Sequence, residues 1–230
     1  ICTYMTQDEI ALSLETESIE KTLSIIELIK SGGLAGQLII ALLTVLLVVA
    51  LYIYFERLFT IKAASKVDPN FMNQIKDHVV NGKIEAAKVL CSTVNSPVSR
   101  LIHKGISRIG RPLADINSAI ENAGKLEVYS LEKNVSVLAT ISGAAPMIGF
   151  LGTVIGMILS IFEIANSGGQ IDIKLLADGL YTAMTTTVAG LVVGIISYIS
   201  YNHIVGRTNK VVYQMEANSV EFLDLLNEPI

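Results

Sequence analysis

Several residue groups in this sequence have types and spacings that suggest chemistry. The series Gly149-x-x-Gly152-x-x-x-Gly156 looks like a phosphate-binding loop. Such a loop follows a strand and precedes a Lys-Ser/Thr pair, whereas this series lies in an uncharged stretch and lacks both. The three histidines lie far from one another and from both cysteines, so their spacing predicts no metal site. Because no nucleophile–base pair is visible either, we expect neither enzyme chemistry nor a cofactor.

Four threonines crowd another uncharged stretch: Thr182, Thr185, Thr186 and Thr187. A threonine in a membrane helix usually bonds a carbonyl of its own preceding turn. On a helix, however, these four side chains point in several directions, which implies more contact with protein or water than one helix pair provides. A polar path through a helical assembly is therefore one interpretation, and close helix packing is the other.

The elements that must position these residues are membrane helices. Three stretches of 25, 29 and 24 residues carry no charged side chain: Ser31–Phe55, Asn134–Phe162 and Gly179–Asn202. Since roughly 20 apolar residues cross a hydrocarbon core of ~30 Å, each is long enough to span. A soluble enzyme is excluded as the leading interpretation. The sequence predicts an all-α membrane protein with three transmembrane helices and long cytoplasmic helical extensions, forming a subunit of a ring.

The distribution of basic residues predicts the topology. Residues 1–30 hold six acids and two bases, whereas Glu56–Lys133 holds twelve of the seventeen bases against eight acids. Lys and Arg collect on the cytoplasmic side of a membrane. This middle segment is therefore predicted to lie on the cytoplasmic side of an inner membrane, with the N-terminus in the periplasm and the C-terminus in the cytoplasm. Cys2 and Cys91 then lie on opposite sides and cannot form a disulfide within the chain. No basic stripe with interleaved aromatic residues suggests nucleic-acid binding.

These features divide the chain into seven predicted segments. In order, they are a periplasmic acidic segment (1–34), the first transmembrane helix (35–56), a cytoplasmic helical segment (57–134), the second transmembrane helix (135–163), a periplasmic loop (164–177), the third transmembrane helix (178–204) and a cytoplasmic tail (205–230). Residues 1–30 have a weak helical pattern, and an amphipathic surface helix or a frayed tail fits it equally. Because the sequence begins with Ile1 rather than Met, removal of a leader is left open.

The cytoplasmic segment is broken by prolines and glycines into short amphipathic helices. Apolar residues recur at helical spacing at Phe71, Ile75 and Val79, and again at Val98, Ile102 and Ile106. The following helix, Leu113–Lys133, contains few helix breakers, so we expect it to run straight into the second span. The first span is uniformly apolar except for Thr44 and indicates a lipid-facing anchor without chemistry.

The second and third spans each present a face of small and polar residues. At 100° per residue, eight small or polar residues of the second span fall within about 60° of Gly149. They are Ser142, Ala145, Pro146, Gly152, Thr153, Gly156, Ser160 and Glu163. In the third span Ala183, Thr187, Gly190 and Gly194 form one line, and Thr182, Thr186 and Ala189 form a neighbouring one. Such small residues favour close packing in lipid, so we expect a homo-oligomeric ring with the first span outermost.

Two motifs carry the most specific signal in the chain. One is Ala144-Ala-Pro-Met-Ile-Gly-Phe-Leu-Gly-Thr-Val-Ile-Gly-Met157. The other is Leu176-Ala-Asp-Gly-Leu-Tyr-Thr-Ala-Met-Thr-Thr-Thr-Val-Ala-Gly-Leu191, followed by Tyr201-Asn202. Together with Tyr54-Phe-Glu-Arg57 after the first span, these motifs resemble the MotA/TolQ/ExbB proton channel family, and most of all its ExbB branch. The resemblance covers about residues 36–210 and is most specific in the last two spans.

The resemblance implies a pentamer whose second and third helices enclose a pore. The pore of such a family member holds helices of a small single-span partner, ExbD-like, with a protonatable aspartate. Proton flow is thought to rotate partner against pentamer and to drive a TonB-like protein that energises outer-membrane uptake. By motif position, Thr153 and Thr187 correspond to the family's pore threonines, and Thr182 and Thr186 complete the predicted proton pathway.

One position departs from the family pattern. Many ExbB and TolQ proteins have a glutamate where this chain has Thr182, so the third span carries no acidic or basic side chain between Gly179 and Asn202. The only acidic candidates near the pore are Glu163 and Asp178, close to the outer ends of their spans, and both are interpreted as rim charges. We therefore expect the titrating carboxylate to come mainly from the partner.

Three functions remain compatible with the sequence. The first is an ExbB-like motor subunit. The second is a TolQ-like or gliding-motor subunit of the same family, and the third is a passive scaffold whose small residues only pack helices. The threonine-rich third span and the length of the motif match favour the first two.

Overall fold

The computed structural model describes residues 34–66, 68–166 and 173–227. Every regular element in these ranges is an α-helix, and we number them in chain order. They are α1 (Leu34–Ala64), α2 (Phe71–Val80), α3 (Ile84–Thr93), α4 (Pro97–Ile106), α5 (Leu113–Glu132), α6 (Val135–Asn166) and α7 (Ile173–Asn227). The weak helical pattern over residues 1–30 lies outside the described residues.

Three of these helices are long and apolar enough to cross a membrane. Within α1, α6 and α7, the candidate spans are Gly36–Ala64, Val135–Asn166 and Gly179–Asn227. This confirms the predicted all-α architecture with three candidate membrane helices. By contacts the chain divides into two compact units. One joins the described residues up to Thr44 with those of Pro146–Leu191 and is named the membrane unit here. The other joins the described residues of Val45–Ala145 with those from Val192 onward and is named the cytoplasmic unit, after the location predicted for its short helices.

The short helices of the cytoplasmic unit form where the sequence predicts them. In α4, Ser96 accepts a hydrogen bond from the backbone N–H of Ser99, the Ser99 hydroxyl accepts one in return from the N–H of Ser96, and Pro97 occupies the first turn. This reciprocal cap satisfies backbone donors that a helix start otherwise leaves unpaired. The predicted apolar positions Phe71, Ile75 and Ile102 are all buried in one core.

The expectation of one continuous helix through Lys133 into the second span is wrong. Helix α5 ends at Glu132 and α6 begins at Val135, with Asn134 between them at a φ of 62°. Asparagine is among the few residues that adopt this left-handed conformation at modest cost. The chain therefore turns at Lys133–Asn134, although no proline or glycine marks the position in the sequence.

The third membrane helix continues far beyond its predicted end at residue 204. Helix α7 runs for 55 residues without interruption, a length of about 82 Å at 1.5 Å per residue. Its C-terminal part buries Val211, Met215 and Phe222 in the core of the cytoplasmic unit. The segment predicted as a tail is thus a structural element of that unit, as the predicted long helical extensions require.

Candidate proton-pathway site

The candidate site lies in the membrane unit, where α6 and α7 pack against each other along their small-residue faces. Numbering rises along α6 as it falls along α7, so the two helices run antiparallel. Successive α6 residues Gly149, Gly152, Gly156 and Ser160 meet, in that order, Gly190, Thr186, Ala183 and Gly179 of α7. The small and polar face predicted for the second span is thus the face that α6 turns toward α7.

The glycines of α6 allow this approach. A Cβ atom at Gly149 would lie 2.8 Å from the Thr186 carbonyl oxygen and 3.0 Å from the Gly190 Cα. A Cβ at Gly152 would lie 2.7 Å from the Cβ of Thr186. Because the first contacts are backbone atoms that cannot rotate away, a side chain at Gly149 would separate the helices. Gly194, the last predicted packing glycine, is also buried.

Two threonine hydroxyls of α7 converge on one backbone carbonyl of α6. The Thr187 hydroxyl donates to the Gly149 carbonyl over 3.1 Å, and the Thr186 hydroxyl points to the same oxygen at 3.4 Å while donating to Ala183 at 2.7 Å. Thr186 is 0% exposed, whereas Thr187 is only partly buried. A hydroxyl that donates one hydrogen bond still has lone pairs to accept another. The hydroxyl of Thr187 is therefore held in place by its bond to Gly149 and can still accept a hydrogen bond from another group.

The other predicted pathway threonines have different neighbours. Thr153 is partly exposed and donates to the Phe150 carbonyl of its own helix over 2.6 Å. Thr182 faces α1, since its Cγ2 would lie 2.7 Å from a Cβ at Gly36. Thr185, which we did not assign to the pathway, donates to Tyr181 one turn earlier over 2.9 Å. The structure therefore brings Thr186 and Thr187 together on Gly149 and places Thr182 toward a different helix.

The predicted rim charges lie at the ends of the helices that carry the threonines. Glu163 is exposed near the C-terminal end of α6, and Asp178 lies near the start of α7, with its side chain outside the described part of the chain. Between these ends, neither helix carries a charged side chain up to Asn134 or Asn202. Across residues 34–66, 68–166 and 173–227, no cluster of three His, Cys, Asp or Glu could hold a metal ion.

Sequence reasoning missed a polar contact at the other end of the chain's membrane helices. In the cytoplasmic unit, the Tyr54 hydroxyl lies 2.8 Å from Nδ1 of His203. The two residues are 149 positions apart, so no local spacing could have revealed the pair. The only signal in the sequence was the position of Tyr54 at the end of the first span, in Tyr54-Phe-Glu-Arg57.

The fold is that of a helical membrane protein with three candidate spans. At the close contact between α6 and α7, the polar groups are threonine hydroxyls and a backbone carbonyl. The model of the MotA/TolQ/ExbB proton channel family matches residues 93–217, more than half of the chain. The chain therefore belongs to this family, which is a class of proton channels rather than of enzymes. With its three apolar helices, it is a multi-pass protein of the inner membrane.

Relatives from several organisms agree with this assignment. The chain is 27% identical over 194 residues to a biopolymer transport protein ExbB homologue of Methanothermobacter thermautotrophicus, covering 84% of this chain and 67% of that protein. It is 37% identical over 87 residues to the ExbB of Aquifex aeolicus, covering 38% and 58%. It is also 23% identical over 228 residues to the TolQ of Pseudomonas aeruginosa, covering 94% and 98%.

A solved structure supports the fold. The C. jejuni MotAB structure resembles this chain with a TM-score of 0.56 over 96% of this chain and 85% of that one, at 13% identity. At this identity the likeness concerns the fold alone. The family assignment indicates a subunit of an oligomeric complex with a partner protein.

Proposed function

We propose that this chain is an ExbB-like subunit of an inner-membrane motor that is driven by the proton-motive force and energises TonB-dependent outer-membrane transport. Five copies surround a pore in which an ExbD-like single-span partner contributes the protonatable carboxylate. The relatives named ExbB favour this branch of the family. The observation that carries the proposal is the pair Thr186 and Thr187 on the Gly149 carbonyl, in stretches of α6 and α7 that carry no charged side chain.

The threonines have divided roles in this proposal. Thr187 and Thr153 offer part-exposed hydroxyls to the partner carboxylate, and a hydroxyl can bond that carboxylate in either protonation state. Thr186, which is fully buried, holds α6 and α7 at the distance that keeps Thr187 in place. Thr182 supports the pathway from the α1 side, and Glu163 and Asp178 provide charge at its periplasmic rim.

A TolQ-like motor is the second candidate. The observation in its favour is the alignment with the TolQ of Pseudomonas aeruginosa, which runs nearly end to end in both chains, although at lower identity than the ExbB matches. The two candidates share the pore and the single-span partner and differ in the protein that receives the motion.

The assembly is tested by copurification. The chain should be coexpressed with a single-span protein that has an intramembrane aspartate, and the intact mass of the purified complex measured. Five copies of this chain with the partner support the proposal, and a single copy or a complex without the partner contradicts it. Adding TonB-like or Pal-like periplasmic proteins to the purified complex then separates the ExbB-like from the TolQ-like output.

The proposed topology places the N-terminus in the periplasm and the helices α2 to α5 in the cytoplasm. A membrane-impermeant thiol reagent applied to intact cells should label Cys2 and should not label a cysteine introduced as Lys83→Cys. Lys83 is an exposed residue between α2 and α3. The reverse labelling pattern contradicts the topology.

A further inference from the structure

Helix α1, predicted to be an anchor without chemistry, makes two polar contacts at its cytoplasmic end. The first joins it to α7 through His203. Its Nδ1 lies 2.8 Å from the Tyr54 hydroxyl, and its Nε2 lies 2.9 Å from Nε of Arg207. Because an arginine Nε–H can only donate, Nε2 of His203 is the acceptor. The network thus assigns the imidazole hydrogen to Nδ1, which donates to the Tyr54 oxygen.

The second contact joins α1 to the end of α5. Arg57 is only 6% exposed, and its Nη1 donates to the Ser130 carbonyl over 3.1 Å, while its Nη2 pairs with Glu56. Ser130 lies in the last turn of α5, which ends at Glu132. The last four carbonyls of a helix have no partner within it, so the guanidinium supplies the partner that this one lacks. A cation at this end also complements the helix dipole.

This contact lies directly before the turn into α6. Asn134, at a φ of 62°, separates α5 from α6, and Val135 and Leu138 of the first α6 turn are buried in the cytoplasmic unit. The end of α5 therefore determines the direction in which α6 begins. Tyr54 and Arg57, one turn apart on α1, thus hold the starting point of α6 and the membrane-proximal part of α7.

We propose that Tyr54 and Arg57 are positioning residues that fix the start of α6 and the part of α7 around His203, in the two helices that carry the proton-pathway threonines. The proposal rests on the proposed function, since it concerns the same helices. Thr187 keeps its contact with Gly149 only while α6 and α7 hold their mutual position. Helix α7 is continuous from Thr187 to His203, and α6 is continuous from Gly149 back to the turn that follows the second contact. We name the two contacts together, through His203 and Ser130, the α1 clamp.

A contribution to stability alone does not explain Arg57. Its Nε is buried and makes no hydrogen bond to any residue that the structure describes. An apolar side chain of similar volume often fills such a place at equal or lower cost than a buried charge. Arginine differs from such a side chain because its planar guanidinium holds several N–H donors in a rigid arrangement. This arrangement reaches one specific carbonyl and fixes the geometry of the contact.

Hydrogen exchange measured by mass spectrometry on the purified oligomer tests the clamp without requiring channel activity. Arg57→Ala should accelerate amide exchange about tenfold in residues 128–138, with α2 and α3 unchanged, because only the local opening becomes easier. Arg57→Lys should restore part of the protection, and millimolar guanidinium added to Arg57→Ala should restore it further. Tyr54→Phe should accelerate exchange in α7 around His203. The matched control is Arg100→Ala, another arginine paired with a carboxylate but on the exposed surface.

Proton flux through reconstituted complexes of normal mass supplies the second readout. Arg57→Ala should lower flux severalfold, and guanidinium should rescue it. The clamp is contradicted if Arg57→Ala leaves amide exchange unchanged. It is also contradicted if exchange rises equally in every cytoplasmic helix and guanidinium does not reverse the rise. Faster exchange confined to residues 128–138 together with normal proton flux contradicts the positioning role of Arg57. Absence of flux in the wild-type complex, with the local exchange pattern present, instead contradicts the proposed function and leaves the clamp standing as a structural contact.

Discussion

The membrane unit and the cytoplasmic unit of this chain are packed by opposite means. In the membrane unit, α6 and α7 meet through glycine, alanine, serine and threonine, and two threonine hydroxyls converge on one backbone carbonyl. In the cytoplasmic unit, Phe71, Ile102 and Phe222 fill the core, and the small residues are few. Lipid provides no hydrophobic force between helices, so close approach and hydrogen bonds replace it. In water, burial of large apolar side chains dominates.

The comparison implies opposite sensitivities to side-chain size. Added volume should damage the membrane unit most, because backbone atoms already touch there. Removed volume should damage the cytoplasmic unit most, because its side chains supply the buried area.

The largest effect is expected for Gly152→Leu in α6. A Cβ at this position already lies 2.7 Å from the Cβ of Thr186, so a leucine must push α7 away. We expect loss of the assembled complex, measured as intact mass after purification. Gly143→Leu is the matched control in the same helix, since a Cβ there meets nothing within 4 Å. Normal assembly of Gly152→Leu, or equal loss in both variants, contradicts the close packing.

The next effect concerns the cytoplasmic unit. Phe222→Ala should destabilise it by about 3–5 kcal/mol, the usual cost of removing a fully buried phenylalanine. Hydrogen exchange should rise in α4 and in the C-terminal part of α7, because Phe222 contacts Gly105 of α4. Tyr213→Ala, at a position 72% exposed in the same helix, should change little. Comparable destabilisation by both variants contradicts the assignment of the core.

The smallest effect is a pH dependence. Burial raises the pKa of the Cys91 thiol from 9.0 to about 11. Since the thiolate is the reactive form, maleimide labelling of Cys91 in the folded protein should stay slow at pH 8 and rise only as the pH approaches 11. The stability that the protonated thiol contributes is complete below pH 9 and is lost as the pH rises through about 11. In denaturant, the rate of Cys91 labelling should rise with pH around the ordinary thiol pKa of 9.0. Fast labelling of folded protein at pH 8 contradicts the burial.

Much of this architecture could be predicted from local patterns. Uncharged length predicted the three membrane helices, and 100° spacing predicted the face of α6 that meets Gly190 and Thr186. The turn at Asn134 could not be predicted, because asparagine only tolerates the left-handed conformation and does not impose it. The different neighbours of Thr182 and Thr186 depend on where α1 and α6 pack around α7, which one helix's periodicity does not specify. The α1 clamp joins residues too distant in sequence for any pattern to reveal.

The central claim is that Thr187 and Thr153 line a proton path, and proton flux into proteoliposomes tests it most directly. The complex with its single-span partner should be reconstituted, its mass verified, and flux per complex measured for Thr187→Val and Thr153→Val. Intramembrane hydrogen bonds average only about 0.6 kcal/mol, so assembly should survive. Thr185→Val is the matched control, since Thr185 donates within its own helix as Thr153 does but is not assigned to the pathway, and Thr182→Val asks whether the position of the family's glutamate contributes. A hydrogen bond to a charged group is worth about 1.5–3 kcal/mol, so flux should fall by about ten- to a hundredfold in Thr187→Val and Thr153→Val while Thr185→Val stays near wild type. Full flux in the Thr153→Val, Thr187→Val double variant would contradict the account.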